Sequence, residues 1–231
     1  MEIQNQYTEM KGGKTNTEFY VQLALIGILL VLLTFNAGRI FSSNGSITGA
    51  VTGVATGIGT VSASEIIPKG TPAVYGSELG VKYDDVSANN PQLADVTIDK
   101  LTEYEDMQLT ETEMARYKKI GMSISCEYCC GAAAIIFSSG ERACGCAHSF
   151  AMRGLAKYLL RNHSDMTDDA ILSELGKWKV LFFPGVHEQK AQVLESKGID
   201  SSDYINLASN KYRGAEKGQA SSSSGGMVGG C

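Results

Sequence analysis

From residue 19 to residue 38 the chain runs twenty residues without a charge, FYVQLALIGILLVLLTFNAG, between Glu18 and Arg39. A helix rises about 1.5 Å per residue, so such a run spans about 30 Å, the thickness of a bilayer's hydrocarbon core. The pattern predicts one transmembrane helix over 19–38, behind an N-terminal tail of 1–18. The run is longer than the apolar part of a signal peptide and no small-residue cleavage site follows closely, so it reads as a signal anchor. Residues 39–64 change character. Gly45, Gly49, Gly53 and Gly57 recur with Thr48, Thr52, Thr56 and Thr60. Gly and Thr form helices poorly in water, so the segment reads as a Gly/Thr/Ser-rich linker; the alternative is a second membrane segment with a small-residue stripe.

From Glu65 the pattern becomes that of a soluble domain, expected over 65–214. Pro68, Gly70 and Pro72 keep its entrance irregular, and AVYGSELGVKYDDV reads as extended chain or turns. Between Asp84 and Glu113 there are nine acidic residues and one basic one, Lys100. They mark the solvated face of two short helices. One is expected near 92–101; the next is opened by the capping box Thr110-x-x-Glu113 and ends near Lys119, with Gly121 at its C′ position. Farther on, SFAMRGLAKYLLRNH has apolar residues at helical spacing. Thr167 precedes a helix carrying Ile171, Leu172, Leu175 and Trp178 that stops at Phe182-Phe183-Pro184, and another helix is expected at about 187–197. Trp178, Phe182 and Phe183 are assigned to the core.

Between the second and third of these helices lies a different pattern. Ala132 to Phe137 is an apolar run suited to a buried strand, Ser138-Ser139-Gly140 is turn chemistry, and Glu141 to Ala143 returns as a second strand. The expected fold is therefore a mainly α soluble domain with a small β-hairpin, treble-clef-like in outline, preceded by one transmembrane helix. Residues 215–231, which include QASSSSGGMVGGC, read as a flexible tail with Cys231 in it.

The hairpin sits inside the chain's densest chemistry. Cys126, Cys129, Cys130, Cys144, Cys146 and His148 fall within twenty-three residues, a C-x-x-C-C group followed by a C-x-C-x-H group. Thiolates and imidazole are the donors that hold Zn²⁺, Cu(I) or an iron–sulfur cluster, the cluster being the least suited to this spacing. Cys144, Cys146 and His148 fall where a helix is expected to begin, and there the macrodipole favours thiolates. The proposed ligands are Cys126, Cys129, Cys144, Cys146 and His148, with Cys130 as a spare thiol and Cys231 as an accessory thiol on the tail. Disulfides across the two groups are the main alternative, and a purely structural role for buried thiols the third. His163 reads as a charge complement at a helix end, and His187 as part of a helix start.

The composition narrows the partners. With a net charge of −5 over 231 residues there is no broad basic surface, which argues against nucleic acid. Lys11 and Lys14 precede the apolar run and Arg39 follows it, so the positive-inside rule favours a cytoplasmic N-terminus and a single-pass protein with its soluble domain outside the cytoplasm.

The run SCEYCCGA…ACGCAHSFAMRGLAKYL resembles a family of uncharacterised archaeal membrane-anchored cysteine-rich proteins, over about 76–184. That resemblance implies no activity. Cys144-Gly145-Cys146 with His148 is also faintly similar to bacterial lipoproteins carrying a Pro-Cys-Tyr-Cys-Gly-Cys motif, although this chain has Glu127-Tyr128-Cys129-Cys130 in place of the proline-led order. The function expected from the residues is a membrane-tethered metal-binding protein that holds or transfers Zn or Cu(I), with a metal donor, acceptor or redox partner protein. A thiol–disulfide oxidoreductase and a zinc- or disulfide-stapled interaction domain are the alternatives. The sequence shows no nucleophile triad, phosphate loop or carboxylate pair that would argue for hydrolysis or phosphoryl transfer.

Overall fold

The computed structural model describes residues 20–27, 61–217 and 227–229. The chain divides into two units, Met1–Ala55 and Thr56–Cys231. In the first, residues 20–27 form an exposed helix, α1. No helix among the described residues is long and apolar enough to cross a membrane. The expected single-pass placement, with its transmembrane helix and extracytoplasmic domain, is therefore overturned. Residues 28–38 of the expected span, and 39–60 of the expected linker, lie outside the described residues.

The second unit is helical. Two four-residue helices, α2 (Ala63–Ile66) and α3 (Gly76–Leu79), and a 3-10 turn at Tyr83–Asp85 lead into α4 (Pro91–Thr102). Asn90 caps α4 by accepting from the Leu93 N–H at 3.2 Å, and Pro91 opens it where no amide donor is required. Next comes α5 (Glu111–Met122), whose Thr110/Glu113 capping box forms in both directions. Gly121 is not a C′ residue: the helix continues past it, and a Cβ there would stand 2.6 Å from Cδ1 of Ile136. The glycine makes room for the loop that carries the cysteines.

The centre of the unit is α6 (Ala147–Asn162), with α4, α5 and α7 (Asp168–Phe182) packed on it. It is buried on almost every face, through Ala151, Met152, Leu155, Ala156, Leu159 and Leu160 among others. Gly154 lets α4 come close, since a Cβ there would overlap the Leu101 carbonyl. Phe183 then serves as C-cap of α7 and N-cap of α8 (Pro184–Ser196), with Pro184 opening the new helix rather than merely ending the old one. A short α9 (Tyr204–Ala208) packs on α7 and α8. Trp178, Phe182 and Phe183 are buried as expected, and the Trp178 indole donates to the Tyr75 hydroxyl at 2.7 Å.

The expected β-hairpin is also overturned: the described residues contain no strand, only one isolated antiparallel bridge, Ile136 to Arg142. A strand facing one core alternates buried and exposed positions. Here Ile135 and Ile136 are both buried, at 0% and 2% exposure, so the arm lies along the end of α5 instead. The Ile135 N–H bonds to the Ile124 carbonyl at 3.0 Å. Arg153 of α6 does much of the work a ladder would have done. Its Nη1 donates to the carbonyls of Ile135 (3.0 Å) and Cys144 (2.8 Å), and its Nε to Glu105 (2.5 Å). One buried guanidinium thus joins both arms of the loop to the central helix. The treble-clef comparison falls with the hairpin.

Candidate metal site

The chain leaves α5 at Ser123, and Cys126 follows three residues later, fully buried. Residues 127–130 turn, and Gly131, at φ +70°, takes the left-handed conformation that starts the loop outward. The loop returns at Cys144. Cys146 is the N-cap of α6, with extended backbone and no side-chain capping bond, so its sulfur is left to face the other cysteines. His148 lies in the first turn of that helix and is completely buried. The helix-start position expected for the second cluster is therefore where the chain puts it.

All six clustered residues come together, in two overlapping groups. The sulfurs of Cys126, Cys129 and Cys146 and one ring nitrogen of His148 lie within 4.8 Å of one another, and so do the sulfurs of Cys130, Cys144 and Cys146. Either group is fit to hold a metal ion. Cys146 Sγ is 3.3 Å from Cys126 Sγ and 3.4 Å from Cys144 Sγ. Cys130 and Cys144 form a disulfide, with their Cα atoms 6.7 Å apart. Cys126 and Cys146 are buried free thiols, and Cys129 is, like Cys130 and Cys144, in the disulfide state. Cys144, expected beside His148 as a ligand, is thus placed with Cys130, the residue set aside as a spare. Cys231 lies outside the described residues.

The two free thiols share their protons unequally. The hydrogen bond between Cys146 and Cys126 holds the Cys146 thiol well below its ordinary value, against the cost of burial. The same bond, and then burial, push Cys126 up.

His148 has a defined orientation. Its Nε2 is 2.8 Å from the Val228 carbonyl, and a carbonyl only accepts, so Nε2 carries the proton. Nδ1 is buried and has no hydrogen-bond partner. The ring lies between Phe182 and Phe183, with centroids 4.7 and 5.0 Å away. Val228 is itself 3% exposed, and its N–H donates to the Phe182 carbonyl at 2.9 Å. The expectation of a flexible tail fails at residues 227–229, which are docked on the site; residues 218–226 and 230–231 lie outside the described part.

Behind the cysteines is a charged layer that the sequence reading did not identify. Glu127, between Cys126 and Cys129, is paired with Lys179 at 3.2 Å and Arg213 at 2.9 Å. Lys179 and Lys190 are fully buried. Burial brings Lys179 down from its ordinary 10.5 to about 8, opposed by Glu127 and assisted by Lys190. Burial, followed by the Lys179 charge, also holds His187 well below its usual range. The available signal was local: Lys179 sits within Trp178–Phe182, a stretch that is otherwise apolar and wholly buried, where a charge must find a partner inside. His163 behaves as expected at the C-cap of α6, with its Nε2 3.0 Å from a Glu78 carboxylate oxygen.

Compared with known protein families, curated proteins and solved structures, the chain matches none.

Proposed function

We propose that this protein binds a thiophilic ion, Zn²⁺ or Cu(I), at Cys126, Cys129, Cys146 and His148 when its cysteines are reduced. The observation that carries this reading is the convergence of the four donors within 4.8 Å, with His148 already oriented. Metal-ligating histidines characteristically donate their second ring N–H to a carbonyl or carboxylate, which fixes tautomer and ring angle. Val228 plays that part at Nε2, and Nδ1 is the buried nitrogen left over. Three thiolates and one imidazole complete a tetrahedral zinc shell, and the thiolates equally suit Cu(I). The positive charge of Lys179 beside Cys126 offsets part of the charge that several thiolates would accumulate. The protein holds or passes on this ion, and its partner is then a protein that presents thiols of its own.

The test is anaerobic purification of the dithiol-reduced chain followed by elemental analysis and competition with a chelator of known affinity. One ion per chain, lost on Cys126→Ser or His148→Ala substitution, is expected. A reduced chain that binds neither ion overturns the reading. The disulfide favours a second reading, thiol–disulfide exchange, because the Cys146 sulfur lies 3.4 Å from a sulfur of the Cys130–Cys144 bond. A metal-free chain that catalyses reversible dithiol oxidation would select it.

A further inference from the structure

Cys146 is the one residue common to both ligand groups. A thiolate has lone pairs for more than one soft ion, so a sulfur placed between two sets of donors is positioned to bridge. The second set is closed in this structure. Cys130 and Cys144 are bonded to each other, and a disulfide lacks the thiolate charge that metal ligation requires. The closure is accessible from one side only: Cys130 is exposed, whereas Cys144 and Cys146 are buried.

We propose that the Cys130–Cys144 disulfide gates a second thiophilic-ion site, formed by Cys130, Cys144 and Cys146, that shares the Cys146 sulfur with the first. This rests on the reading of Cys126, Cys129, Cys146 and His148 as the first site. The reductant is a dithiol. Its thiolate attacks the exposed Cys130 sulfur, the Cys130–Cys144 bond breaks, and the bonding pair leaves on Cys144 as a buried thiolate. The second thiol of the reductant then loses its proton and attacks the mixed disulfide. Cys130 is released as a thiolate, and the reductant departs as its own disulfide. Two electrons have passed to the protein. The two protons given up by the dithiol rest on the new thiols until an ion displaces them to solvent. Three sulfurs then surround the second ion, a number that suits Cu(I). Reoxidation by a small disulfide, the reverse exchange in which that disulfide takes up the two electrons and two protons and leaves as a dithiol, withdraws two of those donors at once and expels the ion, so the gate couples occupancy to redox state.

The experiment uses the full chain and Cu(I) supplied from a coloured chelate under anaerobic conditions. Copper per chain is counted before and after treatment with a dithiol that is then removed. Wild type should rise from none to two, because reduction frees Cys129 for the first site as well as opening the second, and X-ray absorption should show a copper–copper path only in the reduced form. The Cys130→Ser/Cys144→Ser double variant should rise from none to one, which separates this gate from the effect of freeing Cys129. One copper in reduced wild type overturns the gate and leaves the first site standing. Two coppers in the oxidised protein, or a second copper in the reduced double variant, overturn it as well. Absence of copper in every form overturns the first site and this inference together. The wild-type comparison needs no substitution, so it stands even where the double variant misfolds.

Discussion

The Val228 carbonyl accepts a hydrogen bond from Nε2 of His148 at 2.8 Å, across eighty residues of chain. It is a backbone contact, so it depends on the docking of the tail and not on the identity of one side chain. A chain ending at Lys217 keeps all of Cys126 to His148 but loses this acceptor. Losing such an outer partner costs about 10- to 100-fold in metal affinity. Chelator competition on the reduced proteins should show that loss for the chain ending at Lys217. Val228→Ala, which keeps the carbonyl, should lose much less. Equal affinities for wild type and the shortened chain would remove His148 orientation from the account.

Disulfide mapping of the non-reduced chain should recover Cys130 linked to Cys144. Cys126 and Cys146 should react with an alkylating reagent only after unfolding, because both are buried. Cys129 is oxidised, and the remaining cysteine of the six is Cys231. A Cys129–Cys231 linked peptide is the expected product. Recovery of Cys231 as an alkylated free thiol would contradict it.

Arg153 and Glu105 are 1% and 4% exposed. Arg153→Met would leave Glu105 with only the half-exposed Arg142, would take the Arg153 donor from the Cys144 carbonyl, and would leave the Ile135 carbonyl with the Ala143 N–H alone. Breaking a buried pair in this way costs about 3–5 kcal/mol. Denaturant titration should show a loss of that size, accompanied by weaker metal binding because the Cys144 arm loosens. An Arg153→Met change that leaves both stability and metal binding intact would show that the guanidinium is not the joint described.

Lys179 sets a pH dependence. Its proton is held less tightly folded than unfolded, with a value near 8 against an ordinary 10.5. The unfolded chain therefore binds more protons above pH 8, and stability attributable to this residue rises with pH from there. Cys126 works the other way: its raised value contributes stability that is lost as pH climbs past the ordinary thiol value of 9.0. The metal-free melting temperature should thus rise between about pH 8 and 9. Cys146, held below its ordinary value, adds to the rise up to about pH 9, so Lys179→Met should reduce the rise without abolishing it, and an unchanged slope would remove Lys179 as a contributor.

The capped helices were legible because their signals are local. Thr110 and Glu113, Asn90 before Pro91, and Thr167 three residues ahead of Ala170 satisfy amide groups within one turn of themselves. The cysteine cluster was legible as composition, and its position at the start of α6 followed from the apolar spacing downstream. The hairpin was misread because an apolar run reports burial without saying on how many sides: Ile135 and Ile136 are enclosed on both. Gly121 was read as a C′ residue, yet it marks a close approach by a distant segment, as Gly154 does. Val228 was beyond reach. In a run of serines and glycines one valine carries no periodicity, and its partners, Phe182 and His148, are far away in sequence.

Synthesis runs from the first residue to the last, and that order bears on the docked tail. His148 leaves the ribosome eighty residues before Val228 does. Throughout that interval the thiols exist beside an imidazole that lacks its backbone acceptor and is free to take either tautomer. Ion capture in its mature geometry is therefore a late event in the life of each molecule. A polypeptide that stalls or is cut between 217 and 228 carries every donor in the Cys126–His148 run and still presents a poor trap, which keeps incomplete chains from withdrawing scarce metal.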